Sequence, residues 1–230
     1  MTVYQSPFKA VLLGFLIGSI VSLTFQRFFF AYQKTSSSRY EGYDWATDQT
    51  LEAKTIVETP FARAQMHTVR LESGSIVPDW LWFDERDAVN VIARLKDGDF
   101  IVFKQRKYGI RGTTLAPIGG MVDGGEQPLE TAKRELLEET GLTSEEWTPL
   151  GSFRVAANRG AGMAHLFLCE NAIRTGVTGD NPKDLESQKE ILVSLAELQS
   201  GLLQGRYKEI KWSATIALAL LHLQKRPDAR

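Results

Sequence analysis

One stretch constrains this chain more than any other: GGMVDGGEQPLETAKRELLEETGL, Gly119 to Leu142. Pro128 can open a helix there, because the first turn does not need its missing N–H, and Gly141 can close it as a left-handed cap. Leu129, Ala132 and Leu136 recur at helical spacing and give that helix a face to bury. Glu135, Glu138 and Glu139 then fall at i, i+3 and i+4, so their carboxylates converge on a neighbouring face. Like charges so placed repel by a few tenths of a kcal/mol per pair, and the negative end of the helix dipole adds roughly 0.3–1 kcal/mol for each acid. A helix that needed only stability would carry Lys or Arg at those positions. Arg134 either pairs with Glu130, four residues before it, or reaches Glu126 or the clustered glutamates.

A divalent cation resolves the repulsion. Mg²⁺ takes hard oxygen ligands and keeps several waters, so two or three carboxylates suffice without His or Cys. Gly119, Gly120, Gly124 and Gly125 let backbone pass close to a metal or a phosphate. Carboxylates, magnesium and glycine-rich backbone together point to hydrolysis at phosphorus. The rest of the composition narrows the field. A chain of 230 residues that is 43% hydrophobic buries one good core and not two large ones. A net charge of -1 and the absence of a Lys/Arg run exclude a general nucleic-acid binder. Cys169 is the only cysteine, so no disulfide forms within the chain, and His67, His165 and His222 lack zinc-like spacing.

The N-terminus differs in kind. Ala10 to Gln26 carries no charge, Arg27 can snorkel, and Phe28 to Tyr32 can extend the span toward the ~20 apolar residues of a membrane helix. FFFAYQKTSSSR offers a poor cleavage site, and the segment is too hydrophobic for an amphipathic transit peptide. The expectation is therefore one uncleaved transmembrane anchor. Arg27, Lys34 and Arg39 slightly outweigh Lys9 and the amino terminus, so the main domain is expected to face the cytoplasm. The expected division is a tail over 1–9, an anchor over 10–32, a polar linker over 33–55 and a catalytic domain over 56–230. Cutting before about Ile56 is expected to leave a soluble, active domain.

Within that domain, MHTVRL and IVPDWLWF predict a hairpin across Glu72–Ser75, and AVNVIARL and DFIVFKQR a second across Lys96–Gly98. SFRVAA and AHLFLCE read as strands around a flexible loop, Asn158 to Gly162, and EILVSL as a last strand. Two helices end the chain, one over Leu195–Leu203 and one starting at an Ser213 N-cap. Strands and helices mix without strict alternation, which predicts α+β or a mixed-sheet sandwich.

The acidic helix also matches a known spacing, G-x5-E-x7-R-E-U-x-E-E-x-G-U with U a bulky aliphatic. Gly120, Glu126, Arg134, Glu135, Leu136, Glu138, Glu139, Gly141 and Leu142 fill its defining positions. The chain thereby resembles the Nudix hydrolases, which cleave nucleoside diphosphates linked to another moiety. The resemblance implies an α/β/α sandwich around a mixed sheet. It also implies Mg²⁺, or Mn²⁺ in its place, held by Glu135, Glu138 and Glu139, with the Gly119 carbonyl a further ligand. Its general base is a box glutamate or one from a later loop: here Glu138 first, with Glu139 beside it, then Glu186 or Glu190.

From about Gln65 to Leu223 the chain looks most like the ADP-ribose pyrophosphatase branch, through its N-terminal hairpin, FKQRKYG and LLQGRYKEIKWSATIALALL. That branch implies a homodimer with shared sites, and Arg106 as a phosphate contact beside Gly120 and Arg134, with a plain surface charge the alternative for Arg106. Trp80, Trp82 and Phe83 are candidates for stacking on a purine or for core and interface. Two departures bear on the substrate: Ala116 stands where the branch often has glutamate, and Asn158 with RGAGMAH replaces its proline-bearing loop. The expectation is a small-molecule nucleotide substrate, ADP-ribose split to AMP and ribose 5-phosphate. The alternatives are another nucleotide sugar, a nucleoside triphosphate, or a nucleotide-sensing module at a membrane.

Overall fold

A computed structural model of the chain describes residues 40, 42, 45–176 and 188–225. The expected anchor and Glu186 lie outside the described residues. Among the described residues no helix is long and apolar enough to cross a membrane.

Two apolar runs explain the middle of the molecule. In strand β4 (Ala88–Leu95) and strand β5 (Phe100–Gln105) most side chains are buried, because successive residues point to opposite faces and both faces are covered. Val89, Val91, Ala93, Ile101 and Phe103 pack under helix α1 (Pro128–Thr140) through Ala132 and Leu136. Ile92, Phe100 and Val102 pack on the other side against Leu198 of helix α2 (Leu195–Leu203) and Ile216 and Leu220 of helix α3 (Ile210–Gln224). The result is helix, sheet, helix: the expected sandwich.

The remaining strands are β1 (Thr50–Glu58), β2 (Ala62–Arg70), β3 (Ile76–Glu85), β6 (Thr114–Ala116), β7 (Ile118–Met121), β8 (Leu142–Thr143), β9 (Glu146–Ala156), β10 (Gly160–Arg174) and β11 (Gln188–Val193). The main order is β1-β2-β3-β10-β4-β5-β11, with β6 on β5, β7 on β4, and β8 and β9 on β10. β10 runs parallel to β3 and β4, and every other pairing is antiparallel, so the sheet is mixed. Both expected hairpins form.

Several boundaries differ from the sequence expectations, and two short strands were not expected. β1 starts at Thr50, inside the stretch read as linker, and Trp45 ahead of it stacks on Trp82 at 5.8 Å. The loop read as Asn158–Gly162 is shorter, because Gly160 already pairs with Phe83 and a Cβ there would strike the Phe83 carbonyl. α3 starts three residues before Ser213: Glu209 caps it by accepting from Trp212 N at 3.0 Å, and Ser213 Oγ donates to the Tyr207 carbonyl at 2.6 Å. β6 and β7 went unread, since TLA and IGGM are too short, and the second too glycine-rich, to show a strand period. α2 begins as expected, with Ser194 and Glu197 forming a capping box.

Candidate active site

β7 brings Gly119 and Gly120 against the acidic face of α1. Asn90 and Val89 on β4 hold these glycines in register. A Cβ on Gly120 would overlap the Glu135 carboxylate, and one on Gly119 would lie 2.7 Å from the Val89 carbonyl. Gly119 therefore requires glycine for space against backbone, and at Gly120 any side chain would have to push the Glu135 carboxylate aside. The helix itself follows the expected plan: Pro128 occupies the first turn, and Gly141 adopts φ +66° and donates its N–H to the Leu137 carbonyl at 2.8 Å.

Arg134 is the positive charge the acidic face lacked. Its Nε donates to Glu126 Oε1 at 3.2 Å and its Nη2 to Glu126 Oε2 at 3.1 Å. Its Nη1 donates to Glu135 Oε1 at 2.7 Å and to Glu138 Oε2 at 3.2 Å. Nη2 also reaches the Met121 carbonyl at 3.3 Å. Of the two open alternatives, the Glu130 partner is excluded: Glu130 pairs with Lys133 at 3.1 Å instead. Hydrogen bonds donated to Glu126, ahead of the opposing cost of burial, raise the Arg134 pKa. The same bonds hold the Glu126 carboxyl below its ordinary value.

The three box glutamates are not alike. Glu135 is buried, and burial pushes its carboxyl up despite Arg134, with Glu138 and Asp123 adding to the rise. Glu138 is 44% exposed. Glu139 is fixed by two strands: Gly119 N donates to its Oε2 at 3.2 Å, and Gln188 Nε2 to its Oε1 at 3.2 Å. Gln188 was missed because it lies 49 residues from Glu139 and belongs to no motif. Glu190, on β11, is engaged by Arg174, which also donates to the Thr140 carbonyl at the end of α1 at 2.9 Å.

Other expected residues lie elsewhere. Arg106 is exposed just past β5, with no ion pair to the glutamate face among the described residues. Ala116 is buried in β6 opposite Phe103. Trp82 is a core residue between Trp45 and His67, and its Nε1 donates to Asp84 Oδ1 at 2.8 Å. Trp80 Nε1 donates to the Asn158 carbonyl at 2.7 Å, while Phe83 is partly exposed. His165 is bound between Ser152 Oγ, 2.8 Å from its Nδ1, and Asp87 Oδ2, 3.4 Å from its Nε2.

Among the described residues no three His, Cys, Asp or Glu side chains converge as a ready cation site, and Arg134 Nη1 bridges Glu135 and Glu138. The donors nevertheless suit a hard divalent cation. They are carboxylate and backbone oxygens, and one guanidinium serves three carboxylates, so the face keeps a negative charge.

Comparison with known proteins agrees with this geometry. The NUDIX domain matches residues 84–214, more than half of the chain. The ADP-ribose pyrophosphatase of Bacillus subtilis (strain 168) is 28% identical over 137 residues, covering 60% of this chain and 71% of that protein. The ADP compounds hydrolase NudE of Escherichia coli (strain K12) is 25% identical over 113 residues, covering 49% of this chain and 60% of that protein. A crystal structure of an ADP compounds hydrolase superposes with a TM-score of 0.64 at 18% identity, over 80% of this chain and 97% of the other, a likeness of fold. An acidic helix lying against paired glycines, within a matched span of this length, leaves one conclusion: the chain belongs to the Nudix family.

Proposed function

We propose that this Nudix hydrolase cleaves the pyrophosphate bond of an ADP-linked compound, with ADP-ribose split to AMP and ribose 5-phosphate as the first candidate. The observation that carries the reading is the placing of Glu135 and Glu139 directly on Gly120 and Gly119, which aligns two carboxylates with one open glycine edge. The names of the two relatives supply the ADP moiety.

Glu135, Glu138, Glu139 and the Gly119 carbonyl would hold Mg²⁺ or Mn²⁺. When bound, the cation supplies charge neutralisation at the pyrophosphate and acidifies an attacking water. The chain's own residues then orient and accept. Arg134 holds Glu138 by Oε2, and we assign Oε1 to taking the proton from water. Glu190 is the second candidate base, and its contact with Arg174 keeps it beside the end of α1. Arg106 and Arg134 are the cations assigned to the phosphates.

Residues 10–32 would anchor the protein as a single-pass membrane protein with its hydrolase domain in the cytoplasm. A homodimer would form through the β1–β3 ribbon, where Leu51, Ile56 and Val57 are exposed. A fragment starting at residue 40 keeps β1 whole, which a cut at Ile56 would not. That fragment would be incubated with Mg²⁺ and ADP-ribose, NADH, UDP-glucose, coenzyme A, diadenosine polyphosphates, capped RNA or 8-oxo-dGTP, and the products separated chromatographically. AMP from ADP-ribose is the expected result. Preferred turnover of a non-ADP member would move the substrate, and binding without turnover would make the chain a sensor.

A further inference from the structure

Glu139 is gripped by a side chain that the box spacing does not include. Gln188 opens β11 and places Nε2 3.2 Å from Glu139 Oε1, while Gly119 N lies 3.2 Å from Oε2. Both oxygens of one carboxylate are thereby fixed from two different strands, so its plane cannot turn without breaking a hydrogen bond. Both donors are neutral. A neutral amide orients a carboxylate while leaving its charge in place, whereas the guanidinium on Glu135 and Glu138 competes with any cation for the same oxygens. The strand that carries Gln188 is anchored at the same end of α1. Arg174 donates to the Thr140 carbonyl at 2.9 Å and pairs with Glu190, two residues along β11 from Gln188.

We propose that Gln188 is a positioning residue: its side-chain amide orients Glu139 toward a divalent cation without neutralising it. Gln188 can play this part only if the glutamate cluster is a cation site, as proposed for the function.

The test measures Mn²⁺ binding by the electron paramagnetic resonance signal of the free ion, using the full-length chain in detergent micelles. Gln188→Met keeps the length and removes the donor. Gln188→Lys keeps a donor and adds a charge. Both are expected to raise the Mn²⁺ dissociation constant roughly tenfold, the size typical of outer-shell changes. Lys189→Met, one residue along the strand, is expected to leave it unchanged, and thermal melts report whether each variant is folded. A merely structural role would lower the melting temperature without touching affinity in the folded protein. Wild type that binds Mn²⁺ while either Gln188 variant binds as tightly overturns the role of Gln188 alone. Wild type that binds no Mn²⁺ overturns the cation site, and the role of Gln188 with it.

Discussion

The two sides of the glutamate cluster are held in opposite ways. On one side Glu126, Glu135 and Glu138 share the single guanidinium of Arg134, all within the box and its loop. On the other, Glu139 is held by a backbone N–H from β7 and an amide from β11. The first side gains Coulomb attraction at the cost of partly neutralising its acids. The second gains orientation from two donors that carry no charge. The contrast assigns stability chiefly to the arginine side and ligand geometry to the strand side.

The largest effect should come from removing charge on both sides at once. Glu138→Gln with Glu139→Gln is expected to cut hydrolysis by more than roughly 100-fold, beyond the usual loss for outer-shell changes, with circular dichroism unchanged. Retained turnover would show that the cluster is not the reaction centre. Gly120→Ala comes next. Its Cβ displaces the Glu135 carboxylate, and a misplacement of that order can cost up to about 100-fold in rate. Activity at the wild-type level would mean that Glu135 has room to move freely.

Arg134→Ala tests stability on the arginine side. It leaves three carboxylates without their shared cation, and for a partly exposed arginine the expected loss in urea unfolding is about 1–3 kcal/mol, below the fully buried case. Arg134→Lys should not restore it, because a point charge cannot fork to Glu126 and Glu135 together. Equal stability for the alanine variant would erase the contrast between the sides.

Asp87 calibrates the comparison from outside the cluster. Burial alone would raise its carboxyl, but the His165 hydrogen bond, the Met163 N–H and nearby Arg154 outweigh it and hold the group below its ordinary value. A depressed folded pKa contributes stability above the unfolded value, about 4, and loses it as pH falls through the folded value. Asp87→Asn should therefore destabilise by on the order of 1 kcal/mol at neutral pH. The gap from wild type should close toward pH 3. A gap independent of pH between 6 and 3 would show that Asp87 charge is not what stabilises. Lys133→Ala is the smallest change: it removes an exposed pair with Glu130 and should shift stability by less than about 0.5 kcal/mol.

How far the sequence carried depended on distance along the chain. The Pro128 start, the Gly141 cap, both early hairpins and the convergence of three glutamates rest on residues a few positions apart, where helix and strand periods act directly. β1, β6 and β7 were not legible. β1 mixes polar and apolar residues with no buried face and is held as a strand by pairing with β2, and β6 and β7 are too short to show a period. The Ser213 N-cap looked sound locally but lost to Glu209, because the Ser213 hydroxyl serves the Tyr207 carbonyl instead.

The same division runs through the site. Its acids, its glycines and its family were written in one stretch of sequence, since a helix of fixed pitch presents residues three and four apart on one face. Which cation would answer those acids was not. The choice by Arg134 of the cluster over Glu130, and the arrival of Gln188 and Arg174 at the end of α1, depend on where β7, β10 and β11 lie in the sheet. Strand order is set by the burial of two faces at once, a property of the packed chain that no local period encodes.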